Sequence, residues 1–161
     1  MGRPVNDLLF WIACRERKEG MDIDYEKQVM EIGQIRAMSP IVLAYIGDAT
    51  YEQKVRRRLI MRYPNDKINE LHKRAVAFAK AKSQARIVQE LREKGSLTEE
   101  EWYFVKRGRN ARSIPPKNAD VVDYRYATGF EAMIGYLALL GAQERIEEIV
   151  DYAFGMISGE G

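Results

Sequence analysis

The chain has little of what many enzymes build their chemistry on: one cysteine, Cys14, and one histidine, His72, in 161 residues. A single cysteine excludes an internal disulfide framework. Together the two counts exclude a zinc site of Cys/His type and a Cys–His nucleophilic dyad. A reducing cytoplasm is the expected location. Proline is also scarce, at five residues, and no stretch alternates polar and apolar residues long enough to mark strands. Aliphatic, helix-favouring residues dominate, so the expected class is all-α. No apolar run approaches the roughly 20 residues needed to span a bilayer. Leu8–Cys14 is short and is followed by Arg15-Glu-Arg-Lys18 instead of a small-residue cleavage site, so neither a membrane anchor nor a signal peptide is expected. A chain of this length fits one domain that buries about two thirds of its unfolded surface.

Charge is unevenly distributed. The formal net charge is +2, yet residues 53–117 hold 18 Lys/Arg against 7 Asp/Glu, a balance of +11 that leaves −9 for the rest. Such a block suits a polyanion, because each cation that neutralises a phosphate releases condensed counterions. Solvated helix faces are the plain alternative.

Residues 1–34 read as an N-terminal extension (1–20) followed by a lead-in, from about Asp22 to Arg36, that is a short helix or a segment packed on the surface. Residues 35–157 read as the domain proper, and 158–161 as a tail. Ser39-Pro40 supplies an N-cap and a first-turn proline for a helix running through Asp48 to about Arg62. Residues 67–80 and 82–94 are amphipathic helices, the second closed by Gly95. Thr98 and Glu101 form a capping-box pattern opening a helix that carries Trp102, Phe104 and Val105. The stretch Lys106–Arg112 is read as an exposed loop with Gly108 and Pro115-Pro116. Asp120 to about Leu140 is a further helix stopped by Gly141, and a last helix spans roughly 142–157.

Two carboxylates are out of place in this pattern. Asp48 lies in Leu43-Ala-Tyr-Ile-Gly-Asp48-Ala-Thr-Tyr-Glu52, and Glu131 in Tyr126-Ala-Thr-Gly-Phe-Glu131-Ala-Met-Ile-Gly-Tyr136, both of which read as buried helix. An ionised carboxylate among Ile, Ala, Phe and Met is costly unless a cation, hydrogen bonds or protonation relieves it. Glu52 and Arg56 share the Asp48 face at a spacing of four, in the orientation that favours an ion pair.

With these blocks in place the chain resembles the ribonuclease III family. Leu43-Ala-Tyr-Ile-Gly-Asp48, Leu71-His-Lys-Arg74 leading to Ala81-Lys-Ser-Gln-Ala85, Lys106-Arg-Gly-Arg-Asn-Ala111, Pro116-Lys-Asn118 and Tyr124–Tyr136 carry the resemblance in order. It is strongest to the short bacterial branch without a double-stranded RNA-binding domain, the Mini-ribonuclease III enzymes. Larger members carry a glutamate four residues before the aspartate and an aspartate three residues before the glutamate. Here Ala44 and Thr128 stand in those places, as in the short branch.

The resemblance implies a helical homodimer, the ribonuclease III catalytic fold, that hydrolyses double-stranded RNA to 5′-phosphate products. Precursor 23S ribosomal RNA is the implied target, and a large-subunit ribosomal protein the implied helper. The alternative is a non-catalytic double-stranded RNA-binding or ribosome-assembly factor of the same fold. Asp48 and Glu131 are the expected catalytic metal ligands. Magnesium, with manganese as substitute, suits one or two carboxylates plus phosphate oxygens. Glu52 is either a further acceptor near the ion or a partner for Arg56. Thr128 either holds a water on the ion through its hydroxyl or simply packs. Expected RNA contacts are Lys106, Arg107, Arg109, Asn110, Arg112 and Lys117, with His72, Lys73, Lys80, Lys82, Ser83 and Gln84 as a second group. His72 is read as a binding residue rather than a general base.

Overall fold

The structure, a computed structural model, describes residues 28–159. The extension at 1–20, the start of the lead-in and the last two residues of the tail lie outside the described residues. Those described form seven helices and no strand: α1 (Ile32–Ala37), α2 (Pro40–Arg62), α3 (Ile68–Ala79), α4 (Ala81–Glu93), α5 (Glu99–Asn110), α6 (Val121–Leu140) and α7 (Gln143–Ser158).

Local chemistry sets most of the helix ends. Ser39 Oγ accepts from the Ile41 amide and Pro40 is the first helical residue of α2. Thr98 and Glu101 close a reciprocal capping box on α5, and Asp120 caps α6 by accepting from the Asp123 amide. Gly141 ends α6 in the left-handed region at φ 80°, which costs glycine no side-chain clash.

One open reading is decided and one expectation is corrected. Within the described residues the lead-in is not helical before Ile32. Residues 28–30 are non-helical, and the Met30 amide donates to the Leu139 carbonyl, so the segment is held against the end of α6. The basic stretch Lys106–Asn110 is not a loop either, because α5 continues through it. Gly108, expected in a loop, is buried where α5 crosses α6. A β-carbon there would lie 2.7 Å from both Gly129 Cα and the Thr128 carbonyl.

α6 is the axis of the domain, buried on all sides from Ala127 to Leu137 except at Glu131. An all-apolar helix is stable only where neighbours surround it, and α2, α4 and α5 pack on α6 from different directions. The Tyr136 ring stacks on Phe104 of α5, and Phe130 meets Tyr51 of α2 edge to face. α7 is tied to α5 by Arg145, whose Nε donates to Glu101 Oε1 at 2.7 Å, and to α2 by Lys54 and Arg58, which both pair with Glu147.

Candidate active site

Asp48 and Glu131 come from the two helices in closest contact. Gly47 leaves α2 nothing between its backbone and the Glu131 carbonyl, and Gly135 does the same for α6 against the Leu43 carbonyl. The pairs 47/131 and 43/135 run in opposite directions, so the helices cross antiparallel, backbone on backbone. The residue after Gly47 therefore meets Glu131. The two carboxyl groups lie within hydrogen-bonding range of each other.

Their surroundings differ. Asp48, expected to be buried, is an exposed residue at the rim of the crossing, with only its carboxyl end drawn into the protein, while Glu131 is mostly enclosed. Burial, then the charge of Asp48, pushes the Glu131 carboxyl up to about 8. Burial and then Glu52 raise Asp48 as well, with Arg56 opposing. Glu52 is near enough to act on both groups, yet its Oε2 is bonded to Arg56 Nη2 at 2.6 Å. The ion pair anticipated from the spacing is thus formed. Among the described residues no three His, Cys, Asp or Glu side chains converge closely enough to hold a metal by themselves. The site is two carboxylates beside the Glu52–Arg56 pair, and Asp48 is exposed.

Three side chains of the expected set are turned into or onto the fold. Thr128 is buried, and its hydroxyl donates to the Tyr124 carbonyl of its own helix at 3.0 Å, as in the packing reading of this residue. Arg107 spans to the end of α1, donating from Nη1 to the Arg36 carbonyl and from Nη2 to the Met38 carbonyl, both at 2.8 Å. On a helix Arg107 sits about 160° from Arg109, which explains why one reaches the end of α1 and the other the start of α6. Gln84 is 1% exposed and cannot reach an RNA surface; it faces Glu131 instead.

The remaining side chains of the expected set lie at the surface. His72, Lys73, Lys80, Lys82, Lys106, Asn110, Arg112 and Lys117 are exposed, and Ser83 and Arg109 half-buried. His72 lines a small hollow with Glu52 and Arg56, next along α2 from Asp48. Part of the basic excess is neutralised from outside the block, since Lys54 and Arg58 both pair with Glu147 of α7.

Arg109, Asn110 and Arg112 line an open hollow of about 650 Å³ together with Arg125, a residue that sequence reasoning missed. Its signal was helical phase. Val121, Val122 and Arg125 are the exposed positions of the first turns of α6, ahead of the enclosed run that starts at Ala127. Arg109 also donates to the Tyr126 hydroxyl at 3.2 Å, which holds it at the edge of this hollow.

Comparison with known proteins agrees with this architecture. The Ribonuclease III domain model matches residues 41–141, a span that contains both Asp48 and Glu131. The chain is 52% identical to the Mini-ribonuclease 3 of Brevibacillus brevis over 123 residues, 76% of this chain and 90% of that one. It is 44% identical to the Mini-ribonuclease 3 of Clostridium tetani over 135 residues, covering 83% and 85% of the two chains. A crystal structure of a Fusobacterium nucleatum protein superimposes with a TM-score of 0.66 at 32% identity, covering 73% of this chain and 93% of that one. The chain belongs to the ribonuclease III family and is an endoribonuclease of that class. Within the family it stands with the Mini-ribonuclease 3 proteins. Among the described residues no helix is long and apolar enough to cross a membrane.

Proposed function

We propose that the chain is a magnesium-dependent endoribonuclease of double-stranded RNA in which Asp48 and Glu131 hold the cation, with manganese able to replace it. The observation that carries this reading is the approach of these two carboxyls, 83 residues apart in sequence, with the enclosed one held protonated up to about 8 by burial and by the other. A hard dication fits that donor set: Asp48 and Glu131, both ionised, would hold it through their carboxylate oxygens. When bound it supplies a lowered pKa for attacking water and charge neutralisation at the scissile phosphate.

The protein's own part is positional. Asp48, at the exposed rim, leaves the site open to a polyanion, and Glu131 anchors it from the enclosed side. Glu52 adds negative potential that draws a cation in. Arg109, Asn110, Arg112 and Arg125, with the exposed Lys73, Lys80 and Lys82, grip phosphates and 2′-hydroxyls of the duplex.

A homodimer with one site per strand fits two-stranded cleavage. The exposed Ile41, Val42 and Tyr45, which precede Asp48 on α2, support a contact between copies there. Resemblance to the short branch supports precursor 23S ribosomal RNA as the target, a large-subunit ribosomal protein as helper and the cytoplasm as the place of action.

The test is incubation of the full chain, Asp48→Asn and Glu131→Gln with duplex RNA and duplex DNA, in magnesium or EDTA. Cutting of RNA alone, dependent on magnesium and lost in both variants at unchanged helicity, is expected. Magnesium-dependent cutting that survives both substitutions would overturn the assignment of the site, and failure of the unsubstituted chain to cut would favour the binding-factor reading.

A further inference from the structure

The face of α4 that packs on α6 is apolar at Ala85, Ile87, Val88 and Leu91 and interrupted by one amide, Gln84. Gln84 is 1% exposed, and its Nε2 has no hydrogen-bond partner. A sealed, unpaired amide is destabilising, and methionine would fill the same space without that cost. Core packing therefore gives no reason for an amide here. Its neighbour does. Gln84 lies beside the Glu131 carboxyl, on the helix that packs against α6, and its Nε2 makes no hydrogen bond to it.

We propose that Gln84 is a positioning residue for the cation site: once Asp48 and Glu131 hold a divalent ion, Gln84 Nε2–H donates to one oxygen of Glu131 and keeps the other turned to the ion. A carboxylate on a helix otherwise rotates freely about its terminal bonds, and partners behind a ligand routinely fix that orientation. The need is sharp here because Ala44 and Thr128 offer no further carboxylate, so the direction of Glu131 decides how well the ion is held. This inference rests on the cation site proposed above.

Two measurements on the full chain test it. In ¹⁵N-labelled protein, the Gln84 side-chain amide resonances are followed as magnesium is raised to the level that saturates cleavage. One Nε2 proton is expected to move downfield, and to stay in place in Asp48→Asn. In parallel, Gln84→Met is expected to melt at or above the temperature of the parent chain. Its half-saturating magnesium for single-turnover cleavage should rise about 10- to 100-fold, with an unchanged KM for RNA. Amide resonances that ignore magnesium, or a folded Gln84→Met that needs no more magnesium than the parent, would overturn the role of Gln84. Magnesium-dependent cutting retained by Asp48→Asn would instead remove the site on which the role depends.

Discussion

Gly47 on α2 sits so close to the backbone of Glu131 on α6 that a β-carbon added to it would lie 1.7 Å from the Glu131 carbonyl oxygen. No side chain can be accommodated there without moving one helix, since the obstacle is backbone. The glycine beside Asp48 is what allows the aspartate to reach its partner.

Gly47→Ala should therefore damage stability and activity together. Forcing the α2–α6 crossing apart is expected to cost about 3 kcal/mol or more in urea unfolding. RNA cutting should fall steeply even in the folded fraction, although every proposed ligand is retained. Unchanged unfolding and cleavage would show that α2 can slide without separating the carboxyls.

The arginines of the Lys106–Arg112 stretch are expected to divide by role. Arg107→Ala should lower the urea midpoint, through loss of the bonds to Arg36 and Met38, with little change in the salt slope of RNA binding. Neutralising Arg109, Arg112 and Arg125 should leave the midpoint nearly unchanged and flatten that slope by up to about one unit per residue that contacts a phosphate. Anisotropy titrations with duplex RNA over a range of salt separate the two classes.

Glu131 gives the ion-free protein a specific dependence on pH. Its carboxyl is pushed from 4.5 up to about 8 by burial and by Asp48. Between those values the folded state keeps a proton that the unfolded state has released. Stability is full below the lower value and falls as pH rises through the window, by at most about 1.4 kcal/mol per unit. The melting temperature in EDTA should decline from about pH 5 to about pH 8, and Glu131→Gln should flatten that decline. Magnesium should restore stability most at the alkaline end, where no proton competes for the site.

The bond between Arg145 and Glu101 predicts a defect in folding rather than in chemistry. The Glu101 carboxylate, 3% exposed, accepts from the Thr98 amide and from both Nε and Nη2 of Arg145. Arg145→Met leaves a buried anion with one donor and should cost about 3 kcal/mol in urea unfolding. The magnesium requirement for cleavage should be unaffected in the folded protein.

The helix ends were largely legible because their signals are local. Ser39-Pro40, the Thr98–Glu101 box, Asp120 and Gly141 each act within a few residues and stand at the expected boundaries. The form of the lead-in stays open in the sequence, and the basic end of α5 reads wrongly as loop, because tertiary contacts override local pattern there. Met30 is held by Leu139, and Gly108, a turn residue by habit, serves a close helix crossing. At the site, the sequence pointed to Asp48 and Glu131 through polar residues in apolar surroundings. It misjudged Asp48 as buried, since hydropathy does not show which face of α2 lies at the edge of the bundle.

By itself the sequence determined an all-helical domain with isolated carboxylates on two of its helices and a basic middle, because helix formation and charge are properties of the residues in place. Only the tertiary structure decided which groups meet. It put Glu131 behind Gly47, turned Gln84 inward, committed Arg107 to the end of α1 and brought Arg125 to the hollow beside Arg109 and Arg112. These pairings depend on the distance and rotation between helices far apart in the chain, which close backbone contact at small residues sets and local composition does not.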